Sequence, residues 1–177
     1  MRFILVLMCM MIPTSIFAKD KYVENARPDW NTDTTINKVV KVKSQISLTK
    51  KQIELIRKTY RNAESKFFEY WKIDRRECSS DVVEVRIITE YELDNRTYFP
   101  GEDDYTDASG TVIGRYFRHS NVLYIVPPYP AKYYWRKDFA HELAHYFYDD
   151  CGIKFLSDYN EHIAIREFLN KHKRLFY

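Results

Sequence analysis

At 177 residues the chain is sized for one compact domain once any leader is removed. Its 28 Lys and Arg against 25 Asp and Glu give a formal net charge of +3, and the basic residues gather in segments 50–61 and 166–174, where they alternate with apolar positions as on a solvated helix face. That pattern excludes nucleic acid as a partner.

Residues 1–18 read as a secretory signal peptide. Arg2 is followed by an uncharged run from Phe3 to Ile12, a polar break at Thr14 and Ser15, and a cleavage site after Ala18. The apolar run falls short of the roughly 20 residues a spanning helix requires, so no stable membrane span is expected after cleavage. Arg2 is the only charge removed with it, so 27 basic and 25 acidic residues remain, a net charge of +2. Loss of Cys9 with the leader leaves Cys78 and Cys151, an even pair in a compartment that permits disulfides, and the two are predicted to be bonded. On the chain-entropy account such a bridge stabilises by roughly 4 kcal/mol. The mature protein is expected to be secreted or periplasmic, and a monomer.

Residues 19–45 are polar and lack clear periodicity, and read as an extended or loosely docked segment. Thr49 with Gln52 makes a capping box, and Ile53, Ile56, Tyr60, Phe67 and Trp71 recur at helical spacing up to about Lys72, predicting a long core helix. The β-branched run beginning at Val82 predicts a strand to Leu93. Residues 94–110 form a turn-rich acidic loop with Glu102, Asp103, Asp104 and Asp107; its register matches no calcium loop, so it reads as solvated, and Asn95-Arg96-Thr97 is a glycosylation sequon. Thr111–Phe117 and Val122–Val126 predict two strands joined by a turn at 118–121, with Pro127, Pro128 and Pro130 stopping the pairing. The resulting edge strand is either an ordinary hairpin or, if it lies over the following helix, a place for an extended peptide to add as a strand.

That following helix, about 131–150, carries His141-Glu142-Leu143-Ala144-His145. At 3.6 residues per turn, His141 and His145 share a face and offer nitrogens to one Zn²⁺, while Glu142 is placed as general base for a water molecule. From Phe139 to Phe147 the only charged side chain is Glu142, and Trp135, Phe139, Leu143 and Phe147 form an apolar stripe, so the helix reads as buried. Cys151-Gly152 ends it. Asp149 and Asp150 sit at the negative end of the helix dipole, and Asp149, one turn past His145, is a candidate outer partner.

Open zinc sites take three protein ligands. A histidine six residues after His145 is ruled out, because that position is Cys151 and the midpoint is Tyr148 rather than Gly. Asp158 is one option. The other is the helix from Asp158 to Lys173, where Glu161 shares a face with Ile165 and Phe168, and His162 shares one with Arg166 and Lys173; Glu161 therefore points inward and His162 away.

Asn160-Glu161-His162-Ile163-Ala164 resembles the glutamate helix of the gluzincin metallopeptidases, in which HExxH is followed on a second helix by a Glu ligand. The resemblance covers residues 139–169 and implies His141, His145 and Glu161 as zinc ligands with Glu142 as base. Position 165 is Ile where thermolysin-like enzymes carry an orienting Asp, which leaves that role either empty or filled by Asp138, Asp149 or Asp158. His172, Tyr159 and Tyr177 are the candidates for stabilising an oxyanion. The expected fold is α+β and compact zincin-like: an N-terminal helix, a small antiparallel sheet, the zinc helix and the glutamate helix, within a domain spanning 46–177. The expected activity is hydrolysis of peptide or protein substrates. A non-catalytic zinc-binding or interaction module on the same scaffold is the alternative, which the presence of Glu142 disfavours; a cytosolic repressor-cleaving peptidase is disfavoured by the leader. The 16% aromatic content is explained by a small core filled with rings.

Overall fold

The computed structural model describes residues 30–89, 93, 113–128 and 134–177. The predicted leader, the acidic loop and the sequon lie outside the described residues. Strands β1 (Thr32–Asn37) and β2 (Val40–Ser44) form a hairpin, closed by the Asn37 carboxamide oxygen, which accepts from the Val39 N–H at 3.0 Å. Of the segment read as extended or loosely docked, residues 32–37 and 40–44 are therefore extended and paired. Val40-Lys41-Val42-Lys43-Ser44 alternates strictly, with Val40, Val42 and Ser44 fully buried, so the hairpin belongs to the core.

Helix α1 (Lys50–Trp71) starts on the predicted box: Thr49 Oγ1 accepts from the Gln52 N–H at 3.3 Å, and Gln52 Oε1 accepts from the Thr49 N–H at 2.9 Å. It stops at Lys72, which adopts the left-handed conformation (φ 56°). Strand β3 (Val83–Ile87) follows and is shorter than predicted, because Leu93 already lies one turn beyond Thr89 with its N–H bonded to that carbonyl at 2.9 Å. Strands β4 (Gly114–Phe117) and β5 (Val122–Ile125) pair antiparallel as expected, around the short 3₁₀ turn Arg118–Ser120.

The fold is α+β, with one five-stranded sheet in the order β1-β2-β3-β5-β4. It is mixed rather than antiparallel: β2 pairs with β3, and β3 with β5, in parallel. The cause is α1, which carries the chain from the end of β2 back to the start of β3 and supplies the crossover that parallel neighbours require.

Helix α2 (Trp135–Asp150) lies against β4, β5 and α1, and α3 (Asp158–Lys171) packs on α2; a last turn, α4 (Lys173–Phe176), closes the chain. Phe67 on α1 joins the three long helices, with its ring 5.1 Å from Phe147, 5.0 Å from Tyr148 and 5.9 Å from Phe168. No helix among the described residues is long and apolar enough to cross a membrane.

Cys78 and Cys151 are disulfide-bonded, as predicted, 73 residues apart in sequence. The bridge sits beside Asp150, whose buried carboxylate accepts from Arg75 at 2.6 Å, from the Ser79 hydroxyl at 2.6 Å and from the Asp81 N–H at 3.0 Å. An acidic residue at the unfavourable end of a helix is thus accounted for: Asp150 anchors the segment 75–81 to α2.

Candidate metal centre

Helix α2 is buried on nearly every side, from Trp135 through Asp138, Phe139, His141, Glu142 and Leu143 to Tyr148. A helix of that character is held inside a core rather than laid on its surface. Its start is fixed by Trp135, whose indole N–H donates to the Val126 carbonyl at 2.8 Å. With this end set on β5 and the other end held by the disulfide, the positions of His141, Glu142 and His145 are constrained from both sides.

His141 and His145 face each other as their spacing predicts, with Nε2 atoms 3.2 Å apart. Glu161 is buried at 2% exposure, and its Oε1 stands 2.5 Å from His145 Nδ1. Its other oxygen accepts from Arg118, and the Arg118 guanidinium reaches Asp149 at 3.6 Å on the far side. The carboxylate faces inward as expected, but it meets the outer nitrogen of His145. The nitrogen that joins those of His141 and His145 belongs to His162: donor atoms of the three histidines lie within 4.8 Å of one another.

The expectation that His162 is turned away onto a charged face is therefore overturned. Its ring lies 5.3 Å from that of His141 and 4.9 Å from that of His145. Position 162 is seven residues, close to two full turns, before Leu169, which is buried. The inward arc of α3 thus runs from Glu161 past Ile165 to Leu169, and His162 stands on its rim. Judging the face by Arg166 and Lys173 alone conceals this.

The tautomers follow from the hydrogen bonds. His145 Nδ1 faces a carboxylate and His162 Nδ1 faces the Asp158 carbonyl at 2.8 Å, so both carry their proton on Nδ1 and present the Nε2 lone pair. Of the proposed outer partners it is thus Asp158, through its backbone, that orients a histidine directly, while Asp149 acts at one remove through Arg118. Burial, and then the neighbouring His145, hold His141 well below the usual imidazole range. Burial lowers His145 as well, despite Glu161. Neutral imidazoles are the form that binds metal. Burial alone would raise the Glu161 carboxyl, but the bonds from His145 and Arg118 outweigh it and hold the group ionised.

Glu142 occupies the same face of α2 but has a different environment. Burial, with Asp138 adding to it, pushes its carboxyl up to about 8, against a partly compensating bond from the Tyr116 N–H. Strand β4 runs directly past it. A Cβ on Gly114 would lie 2.9 Å from Glu142 Cγ and 3.3 Å from the Tyr124 carbonyl oxygen, so only a hydrogen fits between strand and helix at that position.

His172 packs on the rings of Tyr70 and Phe168, and the Tyr177 ring takes Lys137 and Lys173 against it, which places both at the far end of α3. Tyr159, on the first turn of α3, is 74% exposed. Sequence reasoning missed Arg118 and Gly114 altogether. Arg118 sits in a turn with no periodicity to flag it; Gly114 is one of only four glycines, a scarcity that marks each as a candidate for a position where no side chain fits.

The donor chemistry fits a borderline-soft divalent cation such as Zn²⁺. A tetrahedral ion with nitrogen ligands at about 2.0–2.1 Å sets them roughly 3.3 Å apart, close to the 3.2 Å between His141 and His145. Comparison with known protein families, with characterised proteins and with solved structures returned no match.

Proposed function

We propose that the protein is an exported zinc-dependent metallopeptidase, with His141, His145 and His162 holding the ion and Glu142 acting as general base. The observation that carries this reading is a buried carboxylate on the same helix as two of three converging imidazoles; burial and Asp138 push this carboxyl up to about 8 despite the Tyr116 N–H and the Arg115 charge. A purely structural zinc site has no use for such a group. When bound, the ion would supply Lewis-acid activation of water and of the scissile carbonyl. Glu142 takes the proton from the attacking water and returns it to the leaving amine. Its burial supports this role, since an apolar setting lets the carboxyl hold a proton between the two transfers. Glu161 and the Asp158 carbonyl keep two imidazoles in the ligating tautomer. Strand β4, at the edge of the described sheet and in contact with α2, offers the line along which an extended peptide can be laid past Glu142.

The test combines metal analysis with turnover of a mixed peptide library. Close to one zinc per chain is expected, lost in His145→Ala, and Glu142→Gln should keep the zinc while hydrolysis falls at least 100-fold. Full zinc with no cleavage by the parent protein would support the non-catalytic module instead, and absence of zinc would end the proposal.

A further inference from the structure

Two residues with good metal-binding side chains stand next to each other on α3, and the geometry points to Arg118 as the residue that decides between them. We propose that Arg118 selects the third ligand: by holding Glu161 against His145 it leaves the metal position to His162. This inference rests on the metal site proposed above. The Glu161 carboxylate has both oxygens engaged, Oε1 by His145 Nδ1 and Oε2 by the Arg118 guanidinium. Its side chain is 3% exposed, so these two partners take most of the place of water. Arg118 is supported in turn by Asp149, and it is delivered from the 3₁₀ turn between β4 and β5, outside the helix pair that carries the histidines. Asp149, Arg118, Glu161 and His145 therefore form one chain of alternating charge and donor that ends on a metal-facing ring.

Without Arg118, Oε2 of Glu161 is a buried carboxylate oxygen with its cation removed, a costly state. The strongest remaining positive charge within reach is the metal itself, and a carboxylate is an established third ligand beside two imidazoles in open zinc sites. Glu161 then leaves His145 for the ion, His145 loses the acceptor that fixes its tautomer, and His162 becomes dispensable. Arg118 is thus a positioning residue, and its removal changes the donor set from three nitrogens to two nitrogens and one oxygen.

The experiment is Co²⁺ titration of the full chain, read by visible absorption and by competition with a chelator of known affinity. It is carried out for the parent protein, Arg118→Ala, Arg118→Lys, His162→Ala and the double variant Arg118→Ala with His162→Ala. Arg118→Met keeps the aliphatic stem and serves if alanine disturbs the turn. Arg118→Ala is expected to weaken binding about 10- to 100-fold and to shift the cobalt ligand-field bands, with Lys restoring much of both. His162→Ala should cost at least 100-fold in the parent background and less than about threefold in Arg118→Ala. Parent-like affinity and bands in both Arg118→Ala and Arg118→Met, or an equal cost of His162→Ala in both backgrounds, overturns the inference and leaves the metal site standing. A parent protein that binds no cobalt overturns the metal reading and this inference together.

Discussion

Of the buried carboxylates on helix α2, Glu142 at mid-length and Asp150 at the end are served in opposite ways. Asp150 receives a guanidinium, a hydroxyl and a backbone N–H, and beside it a disulfide ties the helix end to the segment leading into β3. Glu142 is as deeply buried, receives the Tyr116 N–H, and faces the like charge of Asp138 and the opposite charge of Arg115, with burial dominating. A buried charge whose oxygens are saturated is part of the framework. One with fewer compensating partners has its neutral form favoured instead, as Glu142 does. The contrast on a single helix sets the part of α2 that holds the molecule together against the part that the proposed mechanism uses.

The comparison is open to attack from the framework end first. Replacing both Cys78 and Cys151 by Ser should lower unfolding stability in urea by about 4 kcal/mol, the chain-entropy value for a loop of this length. Zinc content per folded molecule should be unchanged; zinc lost in parallel would mean that the bridge shapes the site rather than only tethering the helix. Asp150→Ala should cost somewhat less, about 3 kcal/mol. The buried pair is broken from its fully buried side, while Arg75, with 26% of its side chain exposed, recovers some hydration. A loss under about 1 kcal/mol by the same denaturation would place Asp150 outside the framework. The smallest effect on stability belongs to Glu142→Gln. The amide keeps an acceptor for the Tyr116 N–H and replaces a carboxyl whose neutral form burial already favours, so the change should stay within about 1 kcal/mol of zero. Destabilisation as large as that of Asp150→Ala would show that both carboxylates serve the fold.

What the sequence revealed was what is local. The α1 capping box, the 16-residue helix with its paired histidines, the β4–β5 hairpin and the cysteine pair each depend on residues a few positions apart or on simple arithmetic. The sheet was misread as antiparallel because Val40-Lys41-Val42 finds its partner in Val83-Glu84-Val85 across the whole of α1, and nothing in either segment encodes direction. At the site, the inward turn of Glu161 was legible from Ile165 and Phe168. The approach of His162 was not, since it depends on how α3 crosses α2 and on the burial of Leu169 two turns away. Arg118 is the clearest case of information absent from the local pattern: forty-three positions separate it from Glu161, and only the folded sheet brings the turn beside the helix.

The Cys78–Cys151 bond closes a covalent ring that contains β3, β4, β5 and all of α2, with the β1–β2 hairpin and α1 attached on one side and α3 on the other. A single backbone cut anywhere from Ser79 to Asp150 opens that ring without releasing a piece. The two halves of the histidine cluster, His141 and His145 on α2 and His162 on α3, stay on one molecule after such a nick. For an exported protein, as proposed above, this topology makes the first proteolytic wound survivable. It would appear on a gel as one band without reductant and two bands with it.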